Sequence, residues 1–180
     1  MPPWLPLIYS YLRKESNNSS SRYVYLSTIG IDNTPKVRTV VFRGWSQSYE
    51  MEIYTDKRSQ KYEELDLNKN VEICWFFSKS KCQLRLSGTT RILLGNENIH
   101  HWKKLSEKSK SMWFWPKPGD NFKFDQIKKS DLKKKHDISK NFALLTIDIN
   151  HVDQLILNKT IHERRRWIKK NEWIEERINP

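Results

Sequence analysis

Arg38-Thr39-Val40-Val41-Phe42-Arg43-Gly44 reads as an apolar strand with a guanidinium at each end. Tyr54-Thr55 follows at the end of a second short apolar run, and Ser59-Gln60-Lys61 opens a helical stretch. An unpaired charge is costly to bury, so two arginines in such a strand call for an anion. Phosphate suits them best, because the guanidinium fork meets phosphate oxygens in pairs. Side chains alternate along a strand. Arg38, Val40 and Phe42 therefore share one face, and Thr39, Val41 and Arg43 the other. The two cations can serve different anions, or flank one ligand near a barrel mouth. An edge strand with solvated arginines is the plain alternative. Lys61 adds a cation in a first helical turn, where free N–H groups already favour an anion, and Ser59 fits the N-cap.

Outward from this stretch the chain reads as short strands joined by tight turns. Residues 23–29 and 37–42 form a hairpin about the turn Asp32-Asn33-Thr34-Pro35, and 51–54 is a third strand. Residues 71–77 and 82–94 form a second hairpin, and 142–149, 154–157, 160–169 and 173–178 a closing meander. Helical spacing marks 4–14, 59–67 and 96–105, and 16–21 is a polar linker. Many short strands and few helices predict a mainly β fold, an antiparallel barrel with flanking helices. The 180 residues suit one domain. Residues 122–140 carry seven lysines among few apolar residues and read as a mobile insertion.

The net charge of +12 favours anionic partners without choosing among phosphate cofactor, nucleic acid and membrane surface. Cys74 and Cys82 lie in apolar runs with no His at ligand spacing, so they read as reduced core residues of a cytoplasmic protein, and no metal is expected. Met1-Pro2-Pro3-Trp4-Leu5-Pro6 lacks the pattern of a secretory signal, and no run approaches the ~20 apolar residues of a membrane helix.

Three further features invite chemistry. Gln83 and Arg85 alternate with leucines on one strand, and Gln suits a heteroaromatic ring with donors and acceptors; a solvent-facing pair is the bland reading. In residues 160–167, His162, Arg164 and Arg166 share a strand face opposite Glu163, Arg165 and Trp167. That density fits an anionic pocket, a dimer interface or RNA. Trp113, Trp115, Trp167 and Trp173 either stack on a ligand ring or pack in the core, which is commoner.

Taken together, these motifs resemble those of the pyridoxamine 5'-phosphate oxidases, flavoproteins of the FMN-binding split-barrel fold, and most of all a shorter subgroup found in cyanobacteria and plants. Arg38 to Gly44 is similar to the family's R-x-V-L-L-K-G, Tyr54-Thr55 to its Y-T, and Ser59-Gln60-Lys61 to its S-R-K. Cys82-Gln83-Leu84 resembles R-Q-V, Ile161-His162-Glu163-Arg164 resembles L-H-D-R, and the run from Trp173 to Arg177-Ile178-Asn179-Pro180 resembles W…R-L-x-P.

The resemblance implies FMN as cofactor. Arg38, Ser59, Gln60 and Lys61 would lie at its phosphate, and the backbone of Thr39, Val40 and Val41 along the flavin. Tyr54, Thr55, Gln83 and Arg164 would hold the rest. Arg43 and His162 would face substrate, with His162 catalytic. The implied reaction is oxidation of pyridoxamine or pyridoxine 5'-phosphate by hydride transfer to FMN, which oxygen reoxidises, in a homodimer with FMN between subunits.

Against the resemblance, the FMN side is mostly kept and the substrate side mostly altered. Gln60 stands where the family has a phosphate-binding Arg, and Arg43 replaces a Lys. Thr160 replaces a catalytic-side Arg, no Trp stands near Gln154 to stack on flavin, and the family's Tyr, Arg and Ser set for substrate phosphate has no match between His100 and Trp115. A flavin reductase, or a split barrel for F420 or haem, is the alternative within the fold. A basic nucleic-acid-binding barrel is the alternative outside it. The cations sit at particular strand ends, not along one stripe, which argues against the latter.

Overall fold

The computed structural model describes residues 1–121, 137–158 and 160–180. The insertion expected at 122–140 falls, except for 137–140, outside the described residues.

Alternating β-branched and aromatic residues give β1 (Tyr23–Ile29), which buries Val24, Leu26 and Thr28 on one face. The remaining strands are β2 (Pro35–Trp45), β3 (Met51–Asp56), β4 (Asn70–Phe77), β5 (Cys82–Leu94), β6 (Phe142–Ile156), β7 (Glu163–Lys169) and β8 (Trp173–Ile178). They run in the order β3-β2-β1-β4-β5-β6-β7-β8, and β3 also pairs with β6. That extra pairing closes β1–β6 into a six-stranded barrel, antiparallel at every seam.

The meander is more continuous than the sequence suggests. Residues 142–149 and 154–157 are not two strands but parts of β6. Its first half pairs with β3 and its second half with β7, while β5 pairs along its whole length. The register slips at Ser87/Gly88, which lets β6 change partners. Gly88 is needed there, since an added Cβ would collide with the Asp148 carbonyl oxygen. A second slip, between Phe42 and Gly44, ends the Arg38–Gly44 stretch, with Gly44 at φ +154°. β7 starts only at Glu163, so Thr160 to His162 precede it. The linker 16–21 is partly a 3-10 turn, Ser19–Arg22, whose Ser21 carbonyl accepts from the Trp75 indole at 2.8 Å.

The barrel core holds Phe42, Ile53, Ile73, Trp75, Phe77, Leu84, Leu86 and Ile147. Helix α1 (Leu5–Lys14) lays Leu5, Ile8 and Tyr11 against it. Burying Leu5 and Ile8 contributes ~1.5–3 kcal/mol each. A second cluster, Trp102, Leu105, Trp113 and Phe142, joins α3 (Ile99–Lys103) and the turn after α4 (Glu107–Ser111) to the start of β6. Helix α2 (Gln60–Leu67) connects β3 to β4. Among the described residues no helix is long and apolar enough to cross a membrane.

Candidate active site

The two faces of β2 have separate fates. Val40 and Phe42 enter the core, and Arg38 on the same face reaches α2. Its Nη2 donates to Glu64 Oε2 at 2.6 Å, and its Nη1 donates to the Thr28 hydroxyl and to the Leu26 carbonyl. Thr28 donates to the same Glu64 oxygen at 2.5 Å. Glu64 is fully buried, and its Oε1 has no hydrogen-bond partner. Arg38 is thus half committed to a carboxylate of its own chain.

On the opposite face, Thr39, Val41 and Arg43 open into a cleft of about 310 Å³, lined also by Tyr54, Thr55, Asp56, Lys61, Met112, Trp113 and Pro118. Of the residues picked out in the sequence, the structure brings Thr39, Val40, Val41, Arg43, Tyr54, Thr55 and Lys61 together along it. Ser59 lies at its margin, at the N-cap position of α2. Its hydroxyl does not cap the helix: it donates to the Asp56 carbonyl at 2.6 Å and accepts from Lys61 Nζ at 3.1 Å. Thr55 Oγ1 lies 3.5 Å from the same hydroxyl. Lys61 has no ion pair among the described residues. Burial chiefly, and the nearby Arg38 charge, push its ammonium below the usual lysine range, while Asp56 and Glu64 oppose this. A partly buried, unpaired lysine beside two hydroxyls is a ready anion site.

Tyr54 forms the other wall. The Arg43 guanidinium lies 5.0 Å from its ring centroid, a cation–π contact. Burial and the Glu52 charge push the phenol up, Arg43 partly offsets this, and the group stays a neutral hydroxyl at neutral pH. Trp113 packs in the second core cluster, lines the cleft, and donates its indole N–H to the Thr55 carbonyl at 3.0 Å.

Several residues here carry no sequence signal. Arg58 donates to both Asp56 carboxylate oxygens and to the Trp115 carbonyl at 2.8 Å, tying the segment that follows α4 to the end of β3. Glu64 reads in the sequence as a charge for the early turns of α2, yet it is the buried partner of Arg38. His101 contacts Tyr54 across 47 residues of sequence. Only the fold brings these groups together.

Gln83, His162 and Arg164 do not line this cleft. Gln83 and Arg164 both lie across from Leu155, near the end of β6, whereas Tyr54 lies across from Leu144, near its start. Arg164 grips Asp153 with two nitrogens, at 3.0 and 2.7 Å. His162 is exposed ahead of β7, and Gln60 is exposed on α2. The arginine run is neutralised across strands: Arg165 pairs with Glu175 and Arg166 with Glu176. It is therefore not the bare basic stripe that nucleic acid would need. A larger cleft, about 590 Å³ between α1 and the Ser19–Arg22 turn, is lined by none of the candidate cofactor or substrate residues.

The donor set fits a flavin mononucleotide. Lys61 and the hydroxyls of Thr55 and Ser59 suit its phosphate, and strand backbone with Tyr54 and Trp113 suits its ring. The cleft is small for such a ligand, as sites commonly measure ~300–1,000 Å³.

Comparison with known proteins agrees. Residues 1–94 match the family model described as pyridoxamine 5'-phosphate oxidase, FMN-binding domain. The chain is 31% identical to pyridoxine/pyridoxamine 5'-phosphate oxidase 2 of Arabidopsis thaliana, over 99% of this chain and 97% of that protein. A pyridoxamine 5'-phosphate oxidase-related, FMN-binding protein of Nostoc punctiforme superposes with a TM-score of 0.92 at 27% identity, covering 100% of this chain and 99% of that one. PhzG from Burkholderia lata, solved with tetrahydrophenazine-1-carboxylic acid, shares the fold at a TM-score of 0.83 and 16% identity, covering 98% of this chain and 92% of that one.

Proposed function

The chain belongs to the FMN-binding pyridoxamine 5'-phosphate oxidase family, a family of FMN-dependent oxidoreductases with the split-barrel fold, and on that premise we propose that it oxidises a small phosphorylated substrate of the pyridoxine or pyridoxamine type. The observation that carries this reading is the joining of Arg43, Tyr54, Thr55, Lys61 and Trp113 in one cleft. When bound, FMN would supply the electron acceptor, with oxygen as the oxidant that returns it to its starting state. The protein's own work is positional. Lys61, Ser59 and Thr55 hold phosphate, with the Arg38 charge behind Lys61. The β2 backbone from Thr39 to Val41 and the rings of Tyr54 and Trp113 flank the flavin. Arg43, unpaired among the described residues and fixed over Tyr54, presents a second cation to the substrate anion. In this reading the chain works as one domain in the cytoplasm, and Cys74 and Cys82, both free thiols, suit that compartment.

The reading includes a homodimer, because one chain offers only part of the site. The outward face of the barrel runs without a break from the cleft to Gln83 and Arg164. Register places Val41 beside Tyr23, Thr39 beside Tyr25, Tyr25 beside Cys74, and Phe76 beside Gln83. On this face Tyr23, Tyr25, Val37 and Phe76 are 49%, 50%, 70% and 45% exposed. Such an aromatic patch marks an interaction surface. Two copies joined face to face about a two-fold axis would bring Gln83, His162 and Arg164 of each to the cleft of the other. Tyr25→Glu and Val37→Glu put desolvated carboxylates in that contact. Each is expected to shift the protein in light scattering toward the 21.8 kDa monomer and to loosen FMN in parallel. A monomer that keeps full FMN affinity refutes the shared site.

The reaction is tested by assaying the FMN-loaded protein on pyridoxine and pyridoxamine 5'-phosphates beside the Arabidopsis relative. Turnover is expected to be at least ~10-fold lower, because Thr160 lacks the guanidinium implied by the resemblance, and a decade in rate corresponds to ~1.4 kcal/mol of transition-state stabilisation. Thr160→Arg should recover part of it. No turnover of either compound, even with that change, rules out the vitamin substrate.

A further inference from the structure

Behind Tyr54 lies a relay that takes no part in holding phosphate. The Tyr54 hydroxyl lies 3.2 Å from His101 Nδ1. On the far side of the imidazole, Nε2 lies 3.8 Å from Glu52 Oε1. The side chains of His101 and Glu52 are only 18% and 14% exposed. The Tyr54 ring is held edge-on by His101 at 5.7 Å and by Phe142 at 5.3 Å, with Arg43 over its face. The ring therefore has little freedom, and His101 is the partner its hydroxyl finds among the described residues.

The tautomer of His101 decides what that hydroxyl offers the cleft. A carboxylate near Nε2 favours the proton on Nε2, which leaves Nδ1 as an acceptor. The neutral Tyr54 hydroxyl then donates to Nδ1, and its oxygen lone pairs are left for the ligand. Glu52 lies beyond hydrogen-bond length, so it acts through its charge.

We propose that His101, backed by Glu52, is a positioning residue that turns the Tyr54 hydroxyl into a fixed acceptor for an O–H or N–H of the bound flavin nucleotide. The inference rests on FMN occupying this cleft. It assigns work to a histidine outside every motif of the resemblance, and gives a role to the mostly buried Glu52 beside it. A rotating hydroxyl would have to be ordered by each ligand, whereas one already pinned to an imidazole is ordered beforehand.

The test is FMN binding by apoprotein, followed by quenching of flavin fluorescence. His101→Phe keeps a ring against Tyr54 and removes the acceptor; it should raise the Kd ~5-fold, the size of one ordinary hydrogen bond. His101→Asn restores an acceptor near the Nδ1 position and should stay within ~2-fold of wild type. Tyr54→Phe removes the same bond from the other side without disturbing packing, so it reads the bond even where a His101 variant folds poorly. The deciding measurement is the double variant. If His101 acts through Tyr54, His101→Phe has no further effect on Tyr54→Phe protein. An equal loss in both backgrounds, or none in either, overturns the relay. Wild-type protein that takes up no FMN would overturn the cofactor placement, and the inference with it.

Discussion

Arg38→Ala is expected to be the most damaging single change, at about 3 kcal/mol of stability, because it strands a carboxylate inside the protein. Glu64 is fully buried, and Arg38 is its only ion-pair partner among the described residues. One Glu64 oxygen already lacks a partner, so the pair has no reserve. The figure sits at the low end of the usual range because the Thr28 hydroxyl would remain on Oε2 and Arg38 is itself 24% exposed. Urea unfolding measures it as a fall in midpoint at unchanged slope. The double change Arg38→Ala with Glu64→Gln removes both charges and should recover most of the loss. That rescued protein then isolates the second role of Arg38. Its FMN affinity should stay a few-fold weak, since the Arg38 charge behind Lys61 favours the phosphate without touching it. Full recovery of both stability and affinity would make Arg38 a purely structural residue.

This double role shows what could be read in the sequence and what could not. Strand alternation puts Thr39, Val41 and Arg43 together, and the cleft keeps them together. Alternation also puts Arg38 on the other face. What it cannot supply is the partner there, because Glu64 lies 26 residues on and reads as a helix-dipole residue until α2 packs across β1. Strand breaks mislead for a similar reason. The polar residues Asn150, His151 and Asp153 look like a loop, but β5 pairs across them and holds β6 as one strand. The separation of Gln83 and Arg164 from Tyr54 along β6 is equally hidden. Motif order along a chain says nothing about whether Gln83 and Arg164 meet Lys61 in the same copy.

Lys61→Ala should show the opposite signature to Arg38→Ala, with strongly weakened FMN binding and no loss of stability. Among the described residues Lys61 donates to a neutral hydroxyl and to no carboxylate, so its removal strands no charge there. Its ammonium is held below its usual pKa by burial and then by Arg38, which means that carrying the charge in the empty protein is unfavourable. The sign follows by linkage. Between the lowered folded pKa and the unfolded value of ~10.4, the unfolded chain binds the extra proton, so apoprotein stability rises with pH through that window. Lys61→Ala protein should lack this rise. FMN binding runs the other way. A phosphate beside Lys61 favours the charged form, so binding takes up a proton once the pH passes the pKa of the empty site, and affinity falls as pH rises. The fall should begin below the ordinary lysine range and move upward in Lys61→Arg, whose guanidinium stays charged. Titrating wild type and both variants with FMN between neutral pH and the lysine range decides the matter. Loss of at least ~10-fold in Lys61→Ala at neutral pH, as a charge-assisted phosphate contact requires, places the phosphate here; unchanged affinity and an unchanged pH profile would place it elsewhere in the cleft.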